Sequence, residues 1–238
     1  MTREEFAQEL LARGIELSTQ QLDQFDQYFR LLVEWNEKIN LTAITEEGQV
    51  YLKHFYDSLT PAFFFPFDSV RTVVDIGGGA GFPSIPLKIC FPHLQMTIID
   101  SLNKRIGFLQ HVARELGLQE VYPVHGRAEE CGQDQAYREA FQVVVARAVA
   151  RMNLLSEYCL PFAQVGGHFL ALKGSNIAFE LNEAKKAIKT LGGKTRKVET
   201  LELMEEAGER NIIIIEKVES TPRKYPRKPG IPAKKPLL

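Results

Sequence analysis

The sequence predicts an α/β protein built on a largely parallel sheet with helices on both faces. Short β-branched runs such as RTVVDI (71–76) and LQMTIID (94–100) alternate with amphipathic helical patterns from residue 71 onward. Four glycines between residues 77 and 81 follow the first run, which is typical of a turn that brings backbone close to a ligand. The last two strand-like runs are joined only by MEEAGE. This connection is too short for a crossover helix, so we expect an antiparallel hairpin.

Residues 1–66 are predicted to form an N-terminal helical cap. Thr2 with Glu5, and Ser18 with Gln21, are capping-box pairs that mark the starts of two helices. Apolar residues then recur at helical spacing, and no β-rich run interrupts the segment.

Residues 67–220 are predicted to form one domain with seven strands. In chain order the strand-like runs are RTVVDI (71–76), LQMTIID (94–100), VYPVHG (121–126), FQVVVA (141–146), GGHFLALKG (166–174), GGKTRKVETLEL (192–203) and RNIIIIEKV (210–218). Pro123 removes a ladder donor from the third run, which indicates a less central strand. We therefore expect a seven-stranded, mostly parallel sheet with an antiparallel C-terminal hairpin.

Residues 221–238 form a basic, proline-rich tail. It holds six Lys or Arg residues, five prolines and no acidic residue, whereas the other 220 residues carry a net charge of −7. Prolines at this density favour an extended chain, so we expect the tail to stay unpacked. A basic arm on an acidic body favours contact with RNA, with a merely solubilising end as the alternative.

The composition excludes several classes of protein. With 238 residues, 45% apolar and 25% charged, the chain has ordinary globular composition. Its start, MTREEFAQEL, is not a secretory signal, and no apolar run approaches the roughly 20 residues that span a bilayer. Cys90, Cys131 and Cys159 lie far apart without metal-ligand spacing. We therefore expect a cytoplasmic protein with reduced thiols, no metal and no membrane partner.

The glycine turn does not fit two common nucleotide motifs. Gly77 and Gly79 match the first two positions of a dinucleotide fingerprint, but Phe82 occupies the third, where it is too large for close helix–strand packing. A triphosphate loop is excluded because no Gly-Lys-Ser/Thr follows. What remains is D-x-G-x-G-x-G, from Asp75 to Gly81, which suits backbone contact with the sugar and amino-acid portions of a ligand.

Two further loops at the same sheet edge carry candidate ligand contacts. Asp100 ends the second strand, where a carboxylate can accept hydrogen bonds from the hydroxyls of an adenosine ribose. The loop GRAEE (126–130) offers backbone and Glu129 at the end of the third strand, where an adenine ring could be held. Turn, acid and loop on consecutive strands together indicate a nucleoside-containing ligand, with a ligand-free tight turn as the alternative.

Six motifs cover most of the chain outside the tail: WNEKINLTAI (35–44), KHFYDSL (53–59), VVDIGGGAGFPSIPLKI (73–89), DSLNKRIGFLQ (100–110), ARAVA (146–150) and LALKG (170–174). Together they resemble the Rossmann-like class I S-adenosylmethionine-dependent methyltransferases, and most closely the ribosomal RNA small subunit methyltransferase G family. The resemblance implies S-adenosyl-L-methionine as cofactor and N7 of a guanine in 16S ribosomal RNA as the methylated atom. It implies cofactor contacts at Gly77, Phe82, Ala128, Glu129 and Arg147. The general class argument adds Asp100, and the glycine pattern adds Gly79.

The loop after the fourth strand, VVVARAVARM (143–152), predicts a mechanism without a catalytic base or nucleophile. It has neither the Asn/Asp-Pro-Pro-aromatic motif of exocyclic-amine methyltransferases nor the cysteine needed at carbon five of cytosine. N7 of guanine has a free lone pair and no proton to remove. Alignment of the reacting atoms alone can therefore lower the activation barrier by roughly 7–11 kcal/mol. Arg147 is the positioning candidate, on the methionine carboxylate or on guanine O6. No residue is assigned a catalytic role.

Other polar residues admit a functional and a structural interpretation. His54 and Asp57, three apart on a helix, could form a catalytic dyad, but a local ion pair or cap is the favoured interpretation. Lys173 could contact a phosphate, and Trp35 is expected in the core. The basic cluster at 185–197 is expected to be mainly a solvated face.

We therefore predict a monomeric rRNA (guanine-N7)-methyltransferase that acts on 16S ribosomal RNA or on the small ribosomal subunit. Three alternatives stay open: a methyltransferase with another RNA target, a non-catalytic RNA-binding protein that keeps the pocket, and a dinucleotide-dependent oxidoreductase, against which Phe82 argues.

Overall fold

The computed structural model of the chain describes residues 1–147, 149–175, 177–204 and 207–238. Four residues lie outside the described ranges: Ala148 in the predicted fourth loop, Asn176 after the fifth strand-like run, and Glu205 and Glu206 in the hairpin connection.

The N-terminal segment is helical, as predicted. It contains α1 (Arg3–Ala12), α2 (Thr19–Ile39), α3 (Glu47–Val50), a π-helical turn (Tyr51–Tyr56), α4 (Asp57–Leu59) and a 3₁₀ turn (Thr60–Phe63). Both capping boxes are confirmed, with the Thr2 and Ser18 hydroxyls each accepting a backbone N–H three residues later. Aromatic rings fill the centre of this segment, where Phe25 lies 4.9 Å from Phe6 and 5.1 Å from Phe55 between ring centroids.

Seven strands form a single sheet: β1 (Thr72–Ile76), β2 (Gln95–Asp100), β3 (Val121–His125), β4 (Phe141–Arg147), β5 (Ala163–Lys173), β6 (Gly193–Leu203) and β7 (Gly208–Lys217). Their spatial order is β3-β2-β1-β4-β5-β7-β6. The first five strands pair in parallel, and β7 is antiparallel to both of its neighbours. The mostly parallel sheet and the C-terminal hairpin are therefore confirmed, and Pro123 lies on an edge strand.

Between and after the parallel strands the described residues form α5 (Ser84–Cys90), α6 (Asn103–Glu115), α7 (Ala128–Cys131), α8 (Met152–Cys159) and α9 (Ile177–Thr190). Successive strand residues alternate between two apolar layers, as the pleat requires. Val73 packs with the cap, α5 and α6, whereas Val74 packs with α8 and α9 on the other face. The cap thus covers one face of the sheet.

The C-terminal tail (residues 221–238) is docked on the sheet domain, so the prediction that it stays unpacked is wrong. Tyr225 is only 8% exposed. The Arg138 guanidinium donates to the carbonyls of Thr221 and Tyr225, each at 2.7 Å, and Gln133 donates to the carbonyl of Pro226 at 2.7 Å. Proline removes a backbone donor but keeps its carbonyl, so an extended proline-rich chain still offers acceptors to side chains of the domain. The tail ends in the short helix α10 (Ile231–Lys234).

Among the helices in the described ranges, none is both long and apolar enough to span a membrane.

Candidate functional site

A cleft of about 360 Å³ opens at the carboxyl edge of the sheet, and we call it the edge cleft. Four loops, those after β1, β2, β3 and β4, supply its walls. Five predicted site residues line it, namely Gly77, Asp100, Ala128, Glu129 and Arg147. Carboxyl ends of parallel strands share one edge, which explains how residues so distant in sequence meet there.

Asp100 anchors the glycine turn that forms one wall of the edge cleft. Its Oδ2 accepts the backbone N–H of Gly79 at 3.0 Å and the Arg105 guanidinium at 3.2 Å. Its Oδ1 accepts the backbone N–H of Leu102 at 2.8 Å. Gly79 adopts φ +60°, a left-handed conformation that glycine takes without strain. The carboxylate therefore holds the turn in place and still lines the cleft, where its lone pairs can accept further donors.

Asp75 lies beneath the same turn and is fully buried. Burial raises the pKa of its carboxyl to about 7, against the opposing effect of the Ser84 backbone N–H, which donates to Oδ2 at 3.3 Å. This carboxyl changes charge near neutral pH, directly under the cleft wall.

Phe82 lies at the cap side of the turn, and the residues that line the edge cleft do not include it. Its ring stacks on the His54 imidazole with centroids 4.5 Å apart. The Arg147 guanidinium lies over the same Phe82 ring, 4.9 Å from its centroid, which is within cation–π range. Phe82 thus supports Arg147 and the cap in this arrangement.

A second space of about 340 Å³ lies between the cap and the sheet, and we call it the cap cavity. Lys53, His54 and Asp57 of the cap line it together with Arg147 and Arg210 of the sheet. Arg147 lines both the edge cleft and the cap cavity. One guanidinium therefore connects the two spaces.

Asp57 holds the two arginines of the cap cavity. Its Oδ2 accepts Arg147 at 3.0 Å and its Oδ1 accepts Arg210 at 2.9 Å, while Arg147 also donates to the carbonyl of Lys53 at 3.2 Å. The Asp57 side chain is 7% exposed. Such a buried carboxylate needs charged donors, and here they come from β4 and β7.

His54 and Asp57 do not bond to each other; Arg147 lies between them, with Nη1 donating to Asp57 and Nη2 3.5 Å from His54 Nδ1. The Nε2 of His54 lies 2.7 Å from the Thr42 hydroxyl and its Nδ1 lies 3.1 Å from the carbonyl of Lys53. Burial, followed by the positive charge of Arg147, lowers the pKa of the imidazole to about 4. The histidine is therefore neutral near pH 7, and the geometry gives no catalytic dyad.

Lys173 and Trp35 both have partners within the chain. Lys173 donates to the carbonyl of Ala150 at 2.9 Å and pairs with Glu180 at 2.6 Å. Trp35 packs against Phe108 and His111, in agreement with its predicted place in the core.

Several residues that line these sites were not among the predicted ones, Tyr158 and Arg210 among them. Tyr158 on α8 lines the edge cleft, and Arg210 lines the cap cavity. Arg210 could have been predicted from the hairpin. A last strand that runs antiparallel to the others begins at the carboxyl edge, where ligands bind, and Arg210 lies at the start of that strand. Tyr158 has no comparable signal in the sequence, because it sits within an amphipathic helix.

Comparison with known proteins relates the whole chain to one family. The family described as rRNA small subunit methyltransferase G matches residues 21–213. A Brevibacillus brevis protein named ribosomal RNA small subunit methyltransferase G is 76% identical over 238 residues, which is 100% of both chains. A protein with the same name from Exiguobacterium sibiricum is 59% identical over 237 residues, which cover 100% of both chains. Another from Staphylococcus aureus (strain Newman) is 58% identical over 238 residues, which cover 100% of this chain and 99% of that one.

Solved structures share the fold at low sequence identity. The mitomycin 7-O-methyltransferase MmcR superposes with a TM-score of 0.57 at 17% identity, over 79% of this chain and 60% of that one. M. jannaschii TYW2 in complex with AdoMet superposes with a TM-score of 0.53 at 17% identity, over 71% of this chain and 75% of that one. These two structures therefore share the fold of this chain.

Proposed function

The chain belongs to the rRNA small subunit methyltransferase G family, and from this premise we propose that it transfers the methyl group of S-adenosyl-L-methionine to N7 of a guanine in 16S ribosomal RNA. The observation that carries the proposal is the position of Arg147 between the edge cleft and the cap cavity. One space can hold the methyl donor and the other the acceptor base. Membership of this family argues against the alternative of a dinucleotide-dependent oxidoreductase.

The edge cleft fits S-adenosyl-L-methionine. Backbone at Gly77, the Asp100 carboxylate, the loop at Ala128 and Glu129, and the Arg147 guanidinium line the cleft and can contact a sugar, a base and an amino acid. The Gly79 backbone N–H donates to Asp100 and so holds the turn that shapes the cleft wall. We propose that these residues bind the cofactor, with Phe82 holding Arg147 from the side. When bound, the cofactor supplies an electrophilic methyl group on a positively charged sulfur.

The cap cavity would receive the target guanine. Its lining includes neutral His54 and the Arg147–Asp57–Arg210 cluster, which positions groups but does not remove a proton. N7 of guanine needs no deprotonation, so the chain's contribution is alignment of the base with the methyl group.

The test of this function is to locate the transferred methyl group. The protein would be incubated with methyl-labelled cofactor and either free 16S ribosomal RNA or small ribosomal subunits, and N7-methylguanosine would be mapped by chain cleavage at the modified base. We expect label at N7 of one guanine. Label on another atom, or no transfer to either substrate, would overturn the proposal.

The pH profile of methyl transfer tests the absence of a base. The rate of single-turnover transfer at saturating cofactor should be nearly constant between about pH 6 and 9, whereas a general base that titrates in this range would give an acid limb and contributes about 10²–10⁴-fold. The pKa of His54, about 4, lies below this window, so the rate of the His54→Ala variant, and not the pH profile, tests that residue. Asp75 becomes ionised as pH rises through about 7, which favours a cationic ligand above it, so cofactor affinity should increase with pH in this range.

Two variants separate these effects. Asp75→Asn should flatten the pH dependence of cofactor affinity, and His54→Ala should slow transfer by less than the roughly 10²-fold or more that loss of a general base costs. An acid limb in the transfer step, or a loss of about 10²-fold or more in His54→Ala, would mean that a base is used and that the methylated atom carries a proton.

The docked tail offers cations to the RNA. Lys228, Lys234 and Lys235 are exposed and follow or flank Gly230, whose N–H reaches Glu129 at the edge cleft. Replacing these three lysines by Gln should lower the slope of log affinity against log salt by up to about 2–3, since each phosphate contact contributes roughly 0.7–0.9. Filter binding of 16S ribosomal RNA at several salt concentrations measures this slope.

A matched triple variant serves as the control. Lys186, Lys189 and Lys194 are equally exposed but lie toward the amino edge of the sheet, where α9 ends and β6 begins. Their replacement by Gln should change the slope less. If the two triple variants give the same slope, the tail makes no special contact with RNA.

A further inference from the structure

The C-terminal tail contacts a wall of the edge cleft from outside. It begins at the amino edge, where the Thr221 backbone N–H donates to Glu139 at 2.7 Å. It reaches the carboxyl edge at Gly230, whose backbone N–H donates to Oε1 of Glu129 at 3.1 Å. Glu129 is 6% exposed and lines the edge cleft. The tail thus crosses the domain from one sheet edge to the other.

Arg227 fastens the tail between these two ends. Its guanidinium donates to the Glu157 carboxylate at 2.9 Å through Nε and at 2.6 Å through Nη2, and its backbone N–H donates to the same carboxylate at 2.9 Å. The Glu157 side chain is 1% exposed. A carboxylate buried to this degree is costly unless it is paired and hydrogen-bonded, and in this chain the tail provides both.

The two attachment points of the tail belong to the same wall of the edge cleft. Glu129 lines the cleft directly, and Glu157 precedes Tyr158, whose side chain also lines it. Burial raises the pKa of the Tyr158 phenol, and the adjacent Glu129 carboxylate raises it further, so the phenol stays neutral next to that carboxylate. Tail, α8 and the loop after β3 therefore form one connected unit.

We propose that the tail is a strap that positions the Glu129–Tyr158 wall, so that cofactor affinity depends on Arg227 and Gly230 although neither residue lines the cleft. This rests on the proposed function, because it takes the edge cleft as the cofactor site. A wall that is already ordered before binding loses less freedom when the ligand arrives. Arg227 and Gly230 are positioning residues.

Arg227→Gln tests the strap, with Arg223→Gln as the matched control. Both variants remove one positive charge from the tail, but Arg223 is exposed, whereas Arg227 holds the buried Glu157. Calorimetric titration with S-adenosylhomocysteine should show a Kd about 10-fold higher for Arg227→Gln, within the range of coupled sites, and less than about 2-fold higher for Arg223→Gln. The KM for the cofactor should rise by a similar factor while kcat at saturating cofactor stays nearly constant.

The double variant Glu157→Gln/Arg227→Gln protects the test against a folding defect. It replaces the buried ion pair by two amides that can bond to each other, so it should recover part of the lost affinity. Equal affinities in Arg227→Gln and Arg223→Gln, with the wild type binding normally, would overturn the strap and leave the cofactor site standing. If the wild type fails to bind S-adenosylhomocysteine, the proposed function itself is wrong.

Discussion

Arg147→Ala is expected to lower kcat/KM for methyl transfer by at least about 100-fold. A hydrogen bond with a charged partner is worth about 1.5–3 kcal/mol, and each 1.4 kcal/mol corresponds to a factor of ten. The substitution removes the bond to Asp57 and, in the proposed complex, a second bond to the methionine carboxylate or to guanine O6. Single-turnover transfer to 16S ribosomal RNA measures the loss.

Arg210→Ala is the control, because it removes the other guanidinium from Asp57 without touching the edge cleft. We expect a loss of less than about 10-fold, the cost of one weakened charged contact. Titration with S-adenosylhomocysteine adds a second readout. Weaker binding in Arg147→Ala alone places the guanidinium on the methionine carboxylate, and unchanged binding places it on the guanine. Equal losses of rate in both variants would mean that Arg147 only anchors the cap.

Gly81→Val is expected to lower the melting temperature by roughly 5–20 °C, since 1 kcal/mol shifts it by about 2–4 °C in a chain of this size. Gly81 has φ +97°, where a residue with a side chain costs about 1–3 kcal/mol. A Cβ there would lie 2.6 Å from Ile85 Cγ1 and 2.8 Å from the Tyr28 hydroxyl, and overpacking costs a further 1–3 kcal/mol or so. Thermal unfolding followed by circular dichroism measures the shift.

Gly79→Ala separates backbone strain from crowding. Its φ of +60° is also left-handed, but a Cβ at this position has no neighbour closer than the Gly77 carbonyl oxygen at 3.9 Å. The expected cost is about 1–2 kcal/mol, from the conformation alone. A loss of stability in Gly79→Ala as large as in Gly81→Val would show that packing against the cap does not matter at the turn.

Local patterns were sufficient for most of the fold. The capping boxes at Thr2 and Ser18, the glycine turn and the alternating strand residues act over a few positions, so each could be predicted from neighbouring residues. The docking of the tail could not. It depends on Glu157, Arg138 and Gln133, which are 70 to 93 residues away from their tail partners and look like ordinary surface positions in the sequence.

In the candidate site, too, some residues could be predicted from local sequence and others could not. Asp100 was predicted because it ends a strand at the edge where ligands bind, whereas the prediction of Arg147 as a cofactor contact came from the family resemblance. The partners of Asp57 were not predicted, because helical spacing pointed to His54 while the actual donors come from β4 and β7. Which charges neutralise a buried carboxylate is decided by tertiary packing, and a single sequence does not contain that information in local form.

The two outer strands of the sheet also protect the protein against self-association. An unpaired strand edge can act as a template for another chain, and charged or proline residues block this pairing. On one side, β3 carries Pro123, which has no N–H to donate. On the other side, β6 exposes Lys194, Arg196 and Lys197 along its length. A neighbouring molecule that approached either edge would meet a missing donor or a row of basic side chains, and both disfavour growth of the sheet by pairing with another chain.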